Sequence, residues 1–471
     1  MSITQIAFAS LGSILYRIFG KNWQRERIIF TVNIFFLFLL QPTGSLRYLN
    51  FILPWLMIFL LLGTGMALTK GSKKEFWWIS VLCLIGFSPF LLAEIIPSLK
   101  SSFLDIHLNT QILVIILGGG ALYILCSYLL RSKKRFLNFI IVLVLLIFIL
   151  LKQPNLTTVM SRILRGLFQQ NTQLASPLDI RWIGYSYISF RLIHVIREFQ
   201  KGRITDISLI RFMNFCLFFP AMTAGPINRY DDFSKQMDAP EQSMQDGILE
   251  GGKRLFVGLL KKFVVADSLA KIALNTTNAA QITTAGWMWV ALIFYSLLLY
   301  FDFSGYTDIA IGMGLFLGIR LPENFNKPYL KSNLTKFWDS WHITLSQWIR
   351  AYYFNPINRS LRKTKLSQSP STILFILQVT TMLLIGLWHG ITWTFAIWGL
   401  WHGIGLFIQN RWSAWRTHSN RAKKQAGPAH TFLNIISTGL TFTYVSLGWV
   451  WFISPTIQDA LGIFQKLLGL G

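Results

Sequence analysis

Two long apolar runs, residues 371–388 and 391–408, abut at Gly386-Leu387-Trp388-His389-Gly390 with almost no polar turn between them. That junction constrains the fold more than any other feature of the chain. Hydrocarbon offers peptide groups no hydrogen-bond partners, so a backbone break at membrane depth must be buried in protein or line a cavity. An ionisable side chain at such depth is costly and marks a candidate functional site. His389 sits at the break. The plainer reading of the same position is a core histidine bonded to a neighbour.

The rest of the chain agrees with a membrane setting. Hydrophobic residues make up 53% of it and charged residues only 13%, and many runs reach the ~18 residues expected of a span. These features exclude a soluble enzyme and leave room for one large all-α membrane domain. The formal charge of +25 is gathered in short clusters between apolar runs. Loops that face anionic cytoplasmic lipid look like this, so no nucleic-acid partner is expected. Cys83, Cys126 and Cys216 lie in apolar segments without metal or redox spacing and read as small buried hydrophobes. No small-residue cleavage site follows a short apolar core at the start of the chain, so anchoring spans are expected there.

Basic clusters at 21–27, 70–74 and 131–135 set the register of the first half. Spans near 28–46, 48–68, 77–96 and 111–130 fit between them, followed by a fifth at 137–151. Residues 3–19 either span or lie in the interface. Arg191 and His194 interrupt the apolar run that begins at Trp182, and Pro220, Gly225 and Pro226 end the run 209–224. Counting every run as a crossing puts later basic loops on the wrong side, so one of these two segments should be re-entrant or half-spanning. Residues 251–273 read as an interfacial helix with Arg254 and Lys261 on one face. A span at 285–301 and a Gly-rich segment at 303–318 follow. Residues 334–351 read as one amphipathic helix, with Lys336, Asp339, Ser340, Gln347 and Arg350 on one face. Phe337, Trp341, Leu345 and Trp348 occupy the other, and His342 at the boundary looks inward. The loops 359–365 and 411–424 should be cytoplasmic, and 432–453 is the last span. The expectation is a single domain over 1–471, with N-terminal spans in 1–151, a core in 209–410 and roughly eleven crossings in all.

His107, His418 and His430 lie in polar loops. His389 and His402 occupy two copies of Gly-Leu-Trp-His-Gly thirteen residues apart, roughly −140° on one helix. The pair should not share a face, and no metal site is expected; His402 reads as a packing histidine bonded to a neighbour. Asp302 and Asp308 flank Gly305 at roughly 120° and should cap or bond helix ends. Gly-x-Ser-x-Gly, a phosphate-binding glycine loop, His-Glu-x-x-His and paired cysteines are all absent from the sequence.

Five ordered stretches resemble the bacterial branch of the membrane-bound O-acyltransferase (MBOAT) family, the branch of alginate O-acetyltransferases and the D-alanyl transfer protein of teichoic acid modification. They are residues 218–230, 300–312, 322–329, 337–346 and 386–390. The likeness is strong over 209–410 and weak before Lys152. Arg191, His194 and the long basic tail after His402 depart from the family's pattern. The resemblance implies an MBOAT fold with a central funnel, a catalytic histidine at His389 and a second active-site histidine at His342.

Acyl transfer from a thioester to a hydroxyl needs a base for the hydroxyl and donors for the oxyanion, and no protein nucleophile. His389 suits the base. His342, with Ser346 or Asp339 one turn away, would orient the donor or stabilise the oxyanion. Trp338, Trp341 and Trp388 would wall the tunnel, with Ser346, Asn324 and Asp302 along it. The expected donor is an acyl thioester, acetyl-CoA or an acyl carrier protein, with no tightly bound cofactor. The other expected partners are the bilayer and an extracytoplasmic acyltransferase or polysaccharide acceptor, at a bacterial plasma (inner) membrane crossed many times. The alternative is a polytopic transporter or flippase, but the two halves lack the matching broken helices of inverted repeats.

Overall fold

The computed structural model describes residues 25–42, 44–46, 49–69, 133–238, 244–418 and 428–470, with isolated positions before 25 and at 77–81. The chain is helical throughout these residues, and the only β feature among them is an isolated bridge between Phe325 and Trp341. Two compact units divide it, one of residues 1–255 and 310–321 and the other of 256–309 and 322–471. The expected spans at 77–96 and 111–130, Cys83 and Cys126 lie wholly or almost wholly outside the described residues, as do residues 419–424 of the expected loop 411–424, whose first part, 411–418, is helical.

Five helices among the described residues are long and apolar enough to cross a membrane: 49–68, 133–152, 285–316, 370–389 and 431–453. Their ends follow local chemistry. Lys133, Lys134 and Arg135 open the second of them and Lys152 closes it. Gln153 then accepts from Leu156 N at 2.6 Å and Pro154 fills the first helical position, where a missing N–H does no harm. The helix that results, Pro154–Leu167, is strongly amphipathic. Asp179 ties it down, accepting from Arg165 Nε at 2.9 Å, from Ser161 at 2.5 Å and from Ser45 at 2.5 Å.

The two segments whose crossing was in doubt are both short. Tyr185–Gln200 has 16 residues and Leu209–Leu217 has nine, and at about 1.5 Å per residue neither matches a ~30 Å hydrocarbon core. Arg191 and His194 are fully inside the first unit rather than at its surface. His194 Nε2 accepts from Tyr230 N at 3.0 Å.

The span expected at 285–301 and its Gly-rich sequel form one helix, Ala285–Phe316, of 32 residues, about 48 Å long. Gly305 and Gly312 within it are contact points and not breaks. In the first unit a Cβ on Gly312 would lie 2.8 Å from Gly251 O; in the second, one on Gly305 would lie 2.9 Å from Gly258 O. Small residues allow such backbone contact in lipid. The interfacial helix expected at 251–273 is instead Met244–Leu259 followed by a π-helical segment, Leu260–Ala266. The wider turn brings two adjacent lysines onto the long helix, with Lys261 paired to Asp308 at 2.6 Å and Lys262 paired to Asp302. Asp302 and Asp308 are therefore mid-helix ion-pair partners and not end caps.

Pro370–His389 and Trp393–His418 form an antiparallel hairpin. Gly390 leaves the first helix extended, and the second begins three residues later, at Trp393, with Ala396 N donating to Thr392 O at 3.1 Å. Gly390 and Thr394 are buried while Trp393 is 77% exposed, so the bend is partly covered by protein. The repeated pentapeptide supplies the hairpin's contact face. An added Cβ would collide with Phe395 O at Gly386, would lie 2.6 Å from Met382 O at Gly399, and 2.7 Å from Val379 Cα at Gly403. A last amphipathic helix absent from the sequence reading, Ile457–Leu467, follows the final span behind a Thr456–Asp459 capping box.

A methyl at the hairpin contact and one at an open site should act in opposite directions. Gly386→Ala is expected to destabilise the protein by about 1–3 kcal/mol through overpacking. Gly439→Ala, whose Cβ would meet no atom within 4 Å, should stabilise it by about 0.5–1 kcal/mol. Thermal unfolding in detergent checks both signs, and a stabilising Gly386→Ala would contradict the packing described.

Candidate active site

The second unit holds a row of aromatic rings that links three histidines. His342 stands edge-on to Phe303, centroids 4.8 Å apart, and also meets Trp388 at 6.1 Å. Trp388 in turn meets His389 at 4.6 Å. His389, half-buried at the end of its helix, packs against Phe452 at 4.8 Å, Trp398 at 5.6 Å and Phe395 at 6.0 Å. Trp398 then meets His402 at 5.0 Å, and Trp338 closes on both, 5.7 Å from Trp398 and 5.1 Å from His402.

His342 and His389 thus both rest against one indole, held by a loop in one case and by the hairpin bend in the other. The single amphipathic helix expected at 334–351 does not exist. Leu334–Trp338 ends after five residues, and Ile343–Ile349 starts afresh. Between them His342 adopts a left-handed backbone, φ 45° and ψ 54°, uncommon for a residue other than glycine. Facing positions counted on one continuous wheel therefore do not describe this stretch. Asp339 turns outward to Arg350 at 2.8 Å and is not bonded to His342. Ser346 Oγ donates to Trp338 O at 3.3 Å, and Ser346 N donates to His342 O at 3.1 Å.

The other expected wall residues divide. Trp338 joins the histidine row. Trp341 belongs to a neighbouring cluster with Phe325, Tyr329, Phe337 and Trp449, anchored where Tyr329 Oη donates to Ser296 O at 2.8 Å. Asn324 is fully buried next to the His342 loop. Asp302 is half-exposed in its ion pair with Lys262.

His402 changes status. It lies on the helix opposite His389, so the thirteen-residue spacing has no angular meaning, and both rings rest on Trp398. It is fully buried, and neither of its nitrogens has a hydrogen-bond partner among the described residues, contrary to a packing histidine bonded to a neighbour. The identical pentapeptides were the available signal, but only the hairpin brings them together. A cavity of about 170 Å³ opens beside the row, lined by Trp338, Ser346, Gln378, Thr381, Met382 and the Asp339–Arg350 pair. Among the described residues no group of three potential ligands could hold a metal ion.

Burial pushes the His342 imidazole well below its ordinary range, to about 3, because the apolar surroundings disfavour the charged ring. The ring is neutral near pH 7, able to donate through one nitrogen and accept through the other. The unfolded chain takes up a proton near pH 6.5 that the folded chain refuses, so this contribution to stability is lost as pH falls from about 6.5 toward 3. His342→Asn keeps a residue type that tolerates the left-handed region. Its melting temperature should fall less steeply between about pH 6.5 and pH 4.5 than that of the unsubstituted protein. An unchanged slope would count against a buried neutral His342.

Residues 132–447 match the profile of MBOAT, the membrane-bound O-acyltransferase family. The chain is 36% identical over 290 residues to the probable alginate O-acetylase AlgI of Pseudomonas aeruginosa, covering 61% of this chain and 52% of that protein. It is 31% identical over 287 residues to the teichoic acid D-alanyltransferase of Streptococcus thermophilus, covering 58% and 68% respectively. It is 36% identical over 268 residues to the peptidoglycan O-acetyltransferase of Helicobacter pylori, covering 56% and 48%. The chain spans about half the length of the alginate and peptidoglycan relatives it matches.

Proposed function

Because the chain belongs to the membrane-bound O-acyltransferase family, we propose that it moves an acyl group, acetyl by preference, from a cytoplasmic thioester to a hydroxyl of an extracytoplasmic cell-surface polysaccharide, directly or through a relay partner. The observation that carries this reading is the pair of imidazoles, His342 and His389, that both pack against Trp388 at the bend of the hairpin. The names of the alginate and peptidoglycan relatives support a polysaccharide acceptor and acetyl as the group.

In this reading His389 accepts the proton of the acceptor hydroxyl as its oxygen attacks the thioester carbonyl. The negative charge that develops on the carbonyl oxygen is met by the N–H of neutral His342, a donor held rigid in a water-poor site. Collapse of the tetrahedral intermediate breaks the C–S bond. The departing thiolate takes the proton from the His389 imidazolium, which leaves an ester, a free thiol and the base restored.

The donor is an acyl-CoA or an acyl carrier protein, and the cavity beside Trp338 and Ser346 is its proposed way in. Exposed Arg359, Arg362, Lys363 and Lys365 lie before the hairpin and Arg411 and Arg416 at its far end. Arg411 donates to Ser371 Oγ, so both basic segments meet at the hairpin's base, where a phosphate or an acidic carrier would be attracted. With the apolar stretches near 77–96 and 111–130 added to the five candidate spans, we infer a chain that crosses a bacterial plasma membrane many times.

Purified protein is expected to transfer labelled acetyl from a thioester to a hydroxyl acceptor. His389→Ala should lower the rate by about 10²–10⁴-fold while eluting from size exclusion as the unsubstituted protein does. Retention of more than about a tenth of the activity would remove His389 from the role of base.

A further inference from the structure

His342 occupies the position before the Ile343–Ile349 helix where a residue's own side chain commonly caps the first amides, yet it makes no such bond. Asn324, eighteen residues earlier in the chain, does so from outside. Its carbonyl oxygen accepts from Ile343 N at 3.0 Å. Its Oδ1 accepts from Thr344 N at 3.2 Å and from Thr344 Oγ1 at 2.6 Å. Asn324 and Thr344 are both buried, at 0% and 2% exposure. The flanks are tied as well, with Asn326 N donating to Ser340 O at 3.0 Å and Phe325 bridged to Trp341.

A non-glycine residue persists in the left-handed region only where its surroundings over-determine it. Here they do, and the consequence falls on the imidazole. Since Asn324 satisfies the helix start, the His342 side chain is released from local capping. Neither of its ring nitrogens is hydrogen-bonded to another residue among the described residues.

We propose that Asn324 and Thr344 are positioning residues for acyl transfer, an external cap that fixes the His342 backbone and leaves both imidazole nitrogens to the substrate. The proposal rests on the reading of His342 as part of the acyl-transfer site. Neither residue touches the reacting atoms. Both act through His342, whose ring must be held within a fraction of an ångström to meet a developing charge.

Thr344→Val removes the hydroxyl bonded to Asn324 at nearly constant volume, and Thr344→Ser restores it. In the acetyl-transfer assay Thr344→Val should lower kcat by about 10- to 100-fold with little change in donor KM, and Thr344→Ser should recover most of the loss. In the His342→Ala background Thr344→Val should cost nothing further, because residues acting through one group are not additive. A second measurement does not need activity. Diethylpyrocarbonate modification of His342 in the folded protein, followed by mass spectrometry, should be severalfold faster in Thr344→Val and Asn324→Ala, with melting temperatures recorded for each.

Additive losses of kcat, or unchanged modification of His342 in folded Thr344→Val, would overturn the external cap. Absence of acetyl transfer by the unsubstituted protein, with the modification rates behaving as expected, would overturn the proposed function and leave the cap standing.

Discussion

The site depends on the close approach of two backbones. In the hairpin of Pro370–His389 and Trp393–His418, Gly386, Gly399 and Gly403 each lie where a β-carbon would meet the partner helix. Lipid provides no hydrophobic drive for helices to associate, so contact at this range is gained through van der Waals packing at small residues. Once the helices touch there, His389 on one packs against Trp398 on the other, and His402 rests on the same indole. The repeated Gly-Leu-Trp-His-Gly is therefore one packing device used twice, with a histidine next to it each time. The two histidines become neighbours of Trp398 through the antiparallel turn, not through any periodicity along one helix.

The other half of the site is fixed by hydrogen bonds. His342 sits in a loop between two short helices, and the loop is pinned by an asparagine from a separate stretch of chain. A side chain on a short loop is ordinarily held less precisely than one on a helix. Cross-bonding to Asn324 and Asn326, with Phe303 and Trp388 packed on the ring, gives this one the rigidity of a core residue. Hydrophobic packing thus sets one imidazole and a polar network sets the other, and Trp388 is the surface on which they meet.

Charge is handled in the same economical way along the membrane helices. Lys261 and Lys262 look, on an even helix, like part of a stripe for lipid headgroups. The π-helical segment that contains them widens the turn and sends both to Asp308 and Asp302. A lysine and a carboxylate paired inside a helix contact avoid the cost of an isolated charge near hydrocarbon.

Hydropathy, charge placement and composition were sufficient for the all-helical membrane class, for the apolar runs that became the helices at 49–68, 133–152, 370–389 and 431–453, and for the break at Gly390. The ordered motifs were sufficient for the family. These features are local: a run of apolar side chains has to be buried or immersed whatever surrounds it. Three things were decided only by the tertiary structure. The stretch 334–351 broke at His342 because Asn324 offers its bonds from elsewhere in the chain. The glycines at 305 and 312 continued the Ala285–Phe316 helix because another helix packs on them. His402 joined His389 because a turn folds one helix onto the other. In each case the deciding partner is distant along the chain, and a wheel or window drawn on one segment contains no information about it.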